Sequence, residues 1–213
     1  MRTDELIAQL AADAAPVPKG RLRARLALAS LLAMVAAVAL VLVWLGMRPD
    51  IHIAMRKAAF WIKLGYTLSL TACGFALTLR MGRPGSRPGP ALAIAPALFA
   101  ALAVLAAVEL LLTPMPMRMG VVMGDSWRVC AALITAFSAP VWLAVVWALR
   151  GMAPTRLRAA GAAAGLLAGG IGASAYGLHC QEMSAAFVVI WYTLGVAVCV
   201  GLGALLGPRL LRW

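Results

Sequence analysis

Six stretches of about 20 apolar residues, each bounded by Arg, Pro or Gly, dominate this chain. A run of that length crosses roughly 30 Å of hydrocarbon as a helix. Within lipid, only a helix or a closed barrel satisfies its own backbone polar groups. The runs fall at roughly 26–47, 58–79, 91–112, 130–149, 157–178 and 185–206. They predict an all-α, polytopic membrane protein with six transmembrane helices. Composition excludes the soluble alternative: 64% of the 213 residues are hydrophobic and 12% charged, too little charge to cover a globular surface. The first run exceeds the apolar core of a signal peptide and is expected to stay as an anchor.

The net charge of +12 does not mark a nucleic-acid binder, because the basic residues lie between the apolar runs rather than on one face. They fix topology instead. One side holds Arg2, Lys19, Arg21, Arg23, Arg25, Arg80, Arg83, Arg87, Arg150, Arg156, Arg158, Arg209 and Arg212; the other holds Arg48, Arg56, Lys57, Arg118 and Arg128. Lys and Arg accumulate on the cytoplasmic side, so both termini are expected there. The chain then divides into an arm (1–25), a six-helix membrane domain (26–207) and a short tail (208–213). Trp44, Trp61, Trp127, Tyr176, Trp191 and Tyr192 all fall near the outer interface, where aromatic belts form. The connector MGRPGSRPGP at 81–90 carries too much Gly and Pro to be a folded unit.

The arm is the one segment with space for soluble business. TDELIAQLAADA at 3–14 reads as a short helix, with Thr3 as N-cap, Asp4 and Glu5 at the positive end of the dipole and Pro16 as terminator. Leu6, Ile7, Leu10 and Ala14 form an apolar stripe. Asp4, Glu5 and Asp13 are three of the chain's seven acidic residues. A helix this short is marginal alone in water and needs a cover for its stripe. A protein partner with an apolar groove and a basic rim fits; disorder or contact with a membrane surface is the alternative, although surface helices normally carry Lys and Arg rather than acids.

At the opposite face the soft and polar residues gather. Cys130 starts the fourth span and Cys180 follows the fifth, so an antiparallel pair puts both at one membrane face. Adjacent helix ends allow the Cα separation of about 7 Å or less that a disulfide needs, and two interfacial cysteines that never meet are equally compatible with the topology. His179, Glu182 and the Met-rich third loop (Met115, Met117, Met119, Met123) lie nearby, a donor set suited to soft metal ions. Lys63 and Glu109 enter the spans at similar depth, close enough to the outer end to snorkel and placed so that they could pair, in a structural role or along an ion path. Gly195, Cys199, Gly203 and Gly207, and likewise Gly161, Gly165 and Gly169, are small-residue packing seams. Cys73, deep in the second span, is expected to be inert.

HCQEMSAAFVVIWYTLG at 179–195, DELIAQLAADAAPV at 4–17 and Cys130 within GDSWRVC resemble the NrsF family of bacterial anti-sigma factors, across essentially the whole chain. The resemblance implies a multi-pass protein of the bacterial inner membrane that holds an extracytoplasmic-function sigma factor inactive. It also implies that Cys130 and Cys180 are sensor thiols for oxidative or heavy-metal stress, with His179 a further candidate metal ligand. Sigma-factor binding would then fall to the arm, on Leu6, Ile7 and Leu10, with Asp4, Glu5 and Asp13 adding charge complementary to a basic partner. No cofactor, no catalytic residue and no direct contact with nucleic acid is expected. The rivals are a membrane thiol oxidoreductase, which normally needs a second reactive pair absent from this sequence, and a small ion or metal transporter, which normally needs broken helices at mid-membrane.

Overall fold

The computed structural model describes residues 2–12 and 20–212; for Leu6, Leu10 and Ala11 it describes the backbone alone. Regular structure among the described residues is all helical: α1 (Thr3–Ala12), α2 (Arg21–Trp44), α3 (Ile51–Ala54), α4 (Ala58–Met81), α5 (Ala91–Leu112), α6 (Met115–Met123), α7 (Trp127–Arg150), α8 (Leu157–Tyr176), α9 (Ala185–Phe187) and α10 (Thr193–Leu210). A π-helical turn, Val188–Tyr192, joins α9 to α10, making one rod from Ala185 to Leu210. Six helices are long and apolar enough to cross a membrane. The first begins at Arg21, so less of the chain is arm than the apolar run suggests. The last absorbs Pro208 and Arg209, which the sequence leaves to the tail.

The bundle is built around α8, and its composition says why. LRAAGAAAGLLAGGIGASAY has almost no side-chain volume, so neighbouring backbones close onto it from three sides, and it is buried along nearly its whole length. In lipid, where apolar burial gives helices little reason to associate, such close approach supplies the van der Waals attraction that does. The two predicted small-residue seams are in fact two halves of one contact: Gly161 and Gly165 lie against the carbonyls of Gly203 and Cys199, while Gly203 lies against that of Gly161. A Cβ at any of these positions would overlap backbone. Gly170 meets Thr71 of α4, where a Cβ would come within 2.7 Å of the backbone nitrogen, and Gly172 meets Ser138 of α7. Gly195 departs from its expected seam. It faces Ile134 of α7, because the π turn shifts the register of the helix above it.

Both ends of the bundle carry polar clasps. At one end Arg25 donates to the Trp147 carbonyl (3.2 Å) and lies 4.5 Å over its ring, Arg150 donates to the Leu210 carbonyl (2.9 Å), and the Gly85 amide donates to Thr155. This is the arginine-rich end, where α2 begins. At the other end lie the cysteines. Trp44 and Trp61 are exposed there, as an aromatic belt requires, whereas Tyr176 and Tyr192 are fully buried. Those two tyrosines belong to the core and not to the belt. The Met-rich third loop is also not a loop. Met115–Met123 forms a helix started by Pro114 and Pro116, with Met115, Met117 and Met119 exposed.

Candidate functional site

Three connections meet at the thiol end: residues 45–57 after α2, residues 113–126 around α6, and residues 177–184 between α8 and α9. The third is held from two sides. From the first connection, the Arg48 amide donates to the Leu178 carbonyl (3.3 Å), and its guanidinium donates to the carbonyls of Cys180 (3.2 Å) and Gln181 (3.3 Å). Asp50 keeps that guanidinium aimed through bonds of 2.7 and 2.8 Å, the one ion pair among the described residues. From within α4, Lys63 reaches up and donates to the carbonyls of Cys180 and Glu182, both at 2.9 Å. Arg48 and Lys63 are each only 3% exposed. Two buried cations therefore close their donors on the backbone carbonyls of one short loop, which is the compensation that burying such charges demands.

Beneath this loop the two predicted thiols meet. Cys130, one turn into α7, lies beside Cys180, both unoxidised and both buried. The loop and the Arg48 clasp roof them over. The Ser126 hydroxyl lies 3.9 Å from the Cys180 sulfur. Tyr192 is fully buried, and its hydroxyl has no hydrogen-bond partner among the described residues. The neighbouring Cys130 thiol and the Lys63 charge draw the Cys180 thiol below the ordinary thiol range, against the opposing effect of burial. The Arg48 guanidinium likewise holds the Asp50 carboxyl below its ordinary range, and Asp50 in turn raises Arg48.

The remaining predicted residues are placed as follows. His179 does not join the sulfurs: Nδ1 donates to the Gly46 carbonyl at 3.0 Å, tying the loop to the end of α2. Among the described residues, no three His, Cys, Asp or Glu side chains gather closely enough to hold a metal ion. Lys63 and Glu109 do not pair. Glu109 instead accepts from Ser184 Oγ and the Ala186 amide, each at 3.0 Å, capping the start of α9. Both line a cavity of about 270 Å³ with Ile62, Leu105 and Met183. Glu182, noted in the sequence only as a neighbour of Cys180, accepts from the Asp125 amide at 2.7 Å and so staples the thiol loop to the start of α7. In the arm, Asp4, Glu5 and Ile7 are exposed on α1. The helix is capped by the Glu5 carboxylate on the Arg2 amide (3.1 Å), so Arg2 and not Thr3 takes the N-cap position. Asp13 and the side chains of Leu6 and Leu10 lie outside what is described. Sequence reasoning missed Arg48 and Tyr192; for Lys63 the signal was a charge inside a span.

Comparison with known proteins places this geometry in a family. The profile of NrsF, negative regulator of sigma F, matches residues 10–213. Over the full length of both chains, the protein is 41% identical to the anti-sigma-F factor NrsF of Caulobacter vibrioides (strain NA1000 / CB15N). It is 39% identical, again over the full length of both, to the probable anti-sigma-F factor NrsF of Azospira oryzae (strain ATCC BAA-33 / DSM 13638 / PS). No solved structure matches the chain. With a full-length profile match and full-length relatives near 40% identity, the chain belongs to the NrsF family.

Proposed function

We propose that this protein is an anti-sigma factor of the bacterial inner membrane. It holds an extracytoplasmic-function sigma factor through its N-terminal arm and releases it when Cys130 and Cys180 are oxidised at the other face. Family membership supports the anti-sigma activity, and the observation that carries the sensing is the meeting of the two thiols beneath one clasped loop. In this reading the arginine-rich end is cytoplasmic and the thiol end periplasmic, which the bias of thirteen flanking basic residues against five supports. The periplasm permits disulfides that the cytosol would reduce. The exposed Asp4, Glu5 and Ile7 of α1 supply charge and apolar area to a basic, grooved partner.

The test is sigma-dependent transcription in cells carrying the full chain, a chain lacking residues 2–12, or the Cys130→Ser, Cys180→Ser double variant. The arm deletion should release transcription while the bundle stays inserted and stable. The double variant should stay silent under an oxidant that induces the parent. Normal repression without the arm, or normal induction without the thiols, would reject the corresponding half of the proposal.

A further inference from the structure

At the arginine-rich end of the bundle, opposite the thiols, a crevice of about 600 Å³ lies where the start of α8 meets the end of α10. Gly207 makes the meeting possible: a Cβ there would stand 2.6 Å from the Leu157 carbonyl oxygen, so the two backbones touch. The contact brings Arg158, on the first turn of α8, to the same crevice as Arg209 and Arg212 at the end of α10. Arg25 and Arg150, at this end too, are committed to backbone carbonyls. Arg158, Arg209 and Arg212 are exposed, and no acidic side chain of the bundle is placed to meet them. Asp50, Glu109, Asp125 and Glu182 all make their bonds at the thiol end.

Below the charges the wall turns apolar. Leu202, Leu205 and Leu206 line the same crevice one to two turns deeper in the span, about 5–10 Å at 1.5 Å per residue. Leu202 and Leu206 also wall an adjoining crevice of about 260 Å³ between α7 and α10, so apolar surface runs on from the charged mouth towards mid-membrane. A water-soluble anion would use the guanidiniums and leave the leucines uncovered. A protein segment would have to bring its backbone polar groups into hydrocarbon. A phospholipid matches both parts, because phosphate oxygens accept from guanidinium forks and acyl chains cover leucine. We infer that this crevice binds an anionic phospholipid, and that a headgroup with two phosphates, as in cardiolipin, is held more tightly than one with a single phosphate. Three guanidiniums with no acid to offset them call for more than one negative charge. The inference stands on this crevice alone and does not depend on the anti-sigma or sensing readings.

The test is native mass spectrometry of the full-length protein, delipidated in detergent and offered cardiolipin, phosphatidylglycerol or phosphatidylcholine with the same acyl chains. The parent should keep one cardiolipin at a collision energy that strips phosphatidylcholine, with phosphatidylglycerol between the two. Arg158→Gln, Arg209→Gln and Arg212→Gln should each weaken cardiolipin binding by about fivefold and the triple change by about 100-fold, one basic residue at an anionic surface per step. Arg23, Arg83 and Arg87 belong to the same end but line no part of the crevice. Changing those three to Gln removes the same charge and should leave binding as in the parent. Inorganic phosphate in large excess should leave the bound lipid in place. Equal losses in the two triple variants would assign the effect to net charge, and displacement by phosphate to a soluble anion; either result overturns the inference. A chain with Asp4→Asn and Glu5→Gln that binds cardiolipin far more tightly than the parent would give the crevice to the acidic arm and overturn it as well. If the arginine variants fail to insert, the parent still decides, because equal retention of the three lipids rejects the site.

Discussion

Arg48 shows most clearly what one residue does here. Its guanidinium spans the carbonyls of Cys180 and Gln181, while Asp50 holds it in place. Replacing it with Ala strips buried carbonyls of their donor, a loss of about 1–3 kcal/mol, and lifts the roof from the thiols. Arg48→Ala should therefore make Cys180 reactive towards a bulky maleimide that barely labels the parent, a difference read by gel shift. The Asp50 contribution depends on pH. Its carboxyl titrates lower in the folded chain than in the unfolded one, so its stabilisation is complete above the ordinary carboxylate value and is lost as pH falls through the lowered one. The melting-temperature deficit of Asp50→Asn should accordingly be present at neutral pH and vanish in acid, as a pH series of thermal melts in detergent would record. None of this was legible in the sequence, where Arg48 counted only as a topological charge. The pairing of Lys63 with Glu109 that their similar depth allows is not made, for a related reason. Depth along two helices says nothing about a neighbouring loop, and loop carbonyls and amides satisfied both charges first.

Helices were far easier to read than their ends and partners. A span in lipid must satisfy its backbone internally, so the apolar runs announced all six, and α5 occupies the predicted 91–112. Three short elements escaped, the four-residue α3 among them. Helix α6 was read as a loop because a nine-residue helix carries too few turns for a periodic pattern, and the π turn at Val188–Tyr192 has no residue signature of its own. Small-residue spacing identified both faces of the α8–α10 contact but not that they were complementary, since a seam shows where a helix is approached and not by which neighbour. That contact makes a sharp prediction. Gly165→Leu drives a side chain into the backbone of α10 and should cost at least about 1–3 kcal/mol. Gly201→Leu, on α10 itself with nothing near its Cβ position, should leave stability unchanged. Thermal unfolding of the two variants in one detergent measures the contrast.

At the scale of the whole molecule, the anti-sigma reading needs an event at the thiols to be felt by an arm joined to the opposite end of the bundle. Moving a sigma factor from about 99% bound to 1% bound takes roughly 5.5 kcal/mol of bias, so the link has to pass through something that moves as a unit. Helix α8 is a poor candidate, because three neighbours are pressed against its backbone. Helix α2 differs. Only Leu26, Ala33, Ala37 and Val41 are buried along its 24 residues, and no glycine locks it. Its arginine-rich end leads into the arm, and its other end runs into Gly46 and Arg48, which are fastened to His179, Leu178 and Cys180. Joining Ala37 to α7 by a short engineered crosslink should therefore blunt induction by oxidant while leaving basal repression intact, as a transcriptional reporter would show. In that reading the lightly gripped first span would be a pushrod through a fixed sleeve: about 36 Å long at 1.5 Å per residue, it would carry a shift of the sulfur roof across the bilayer without the other helices having to rearrange.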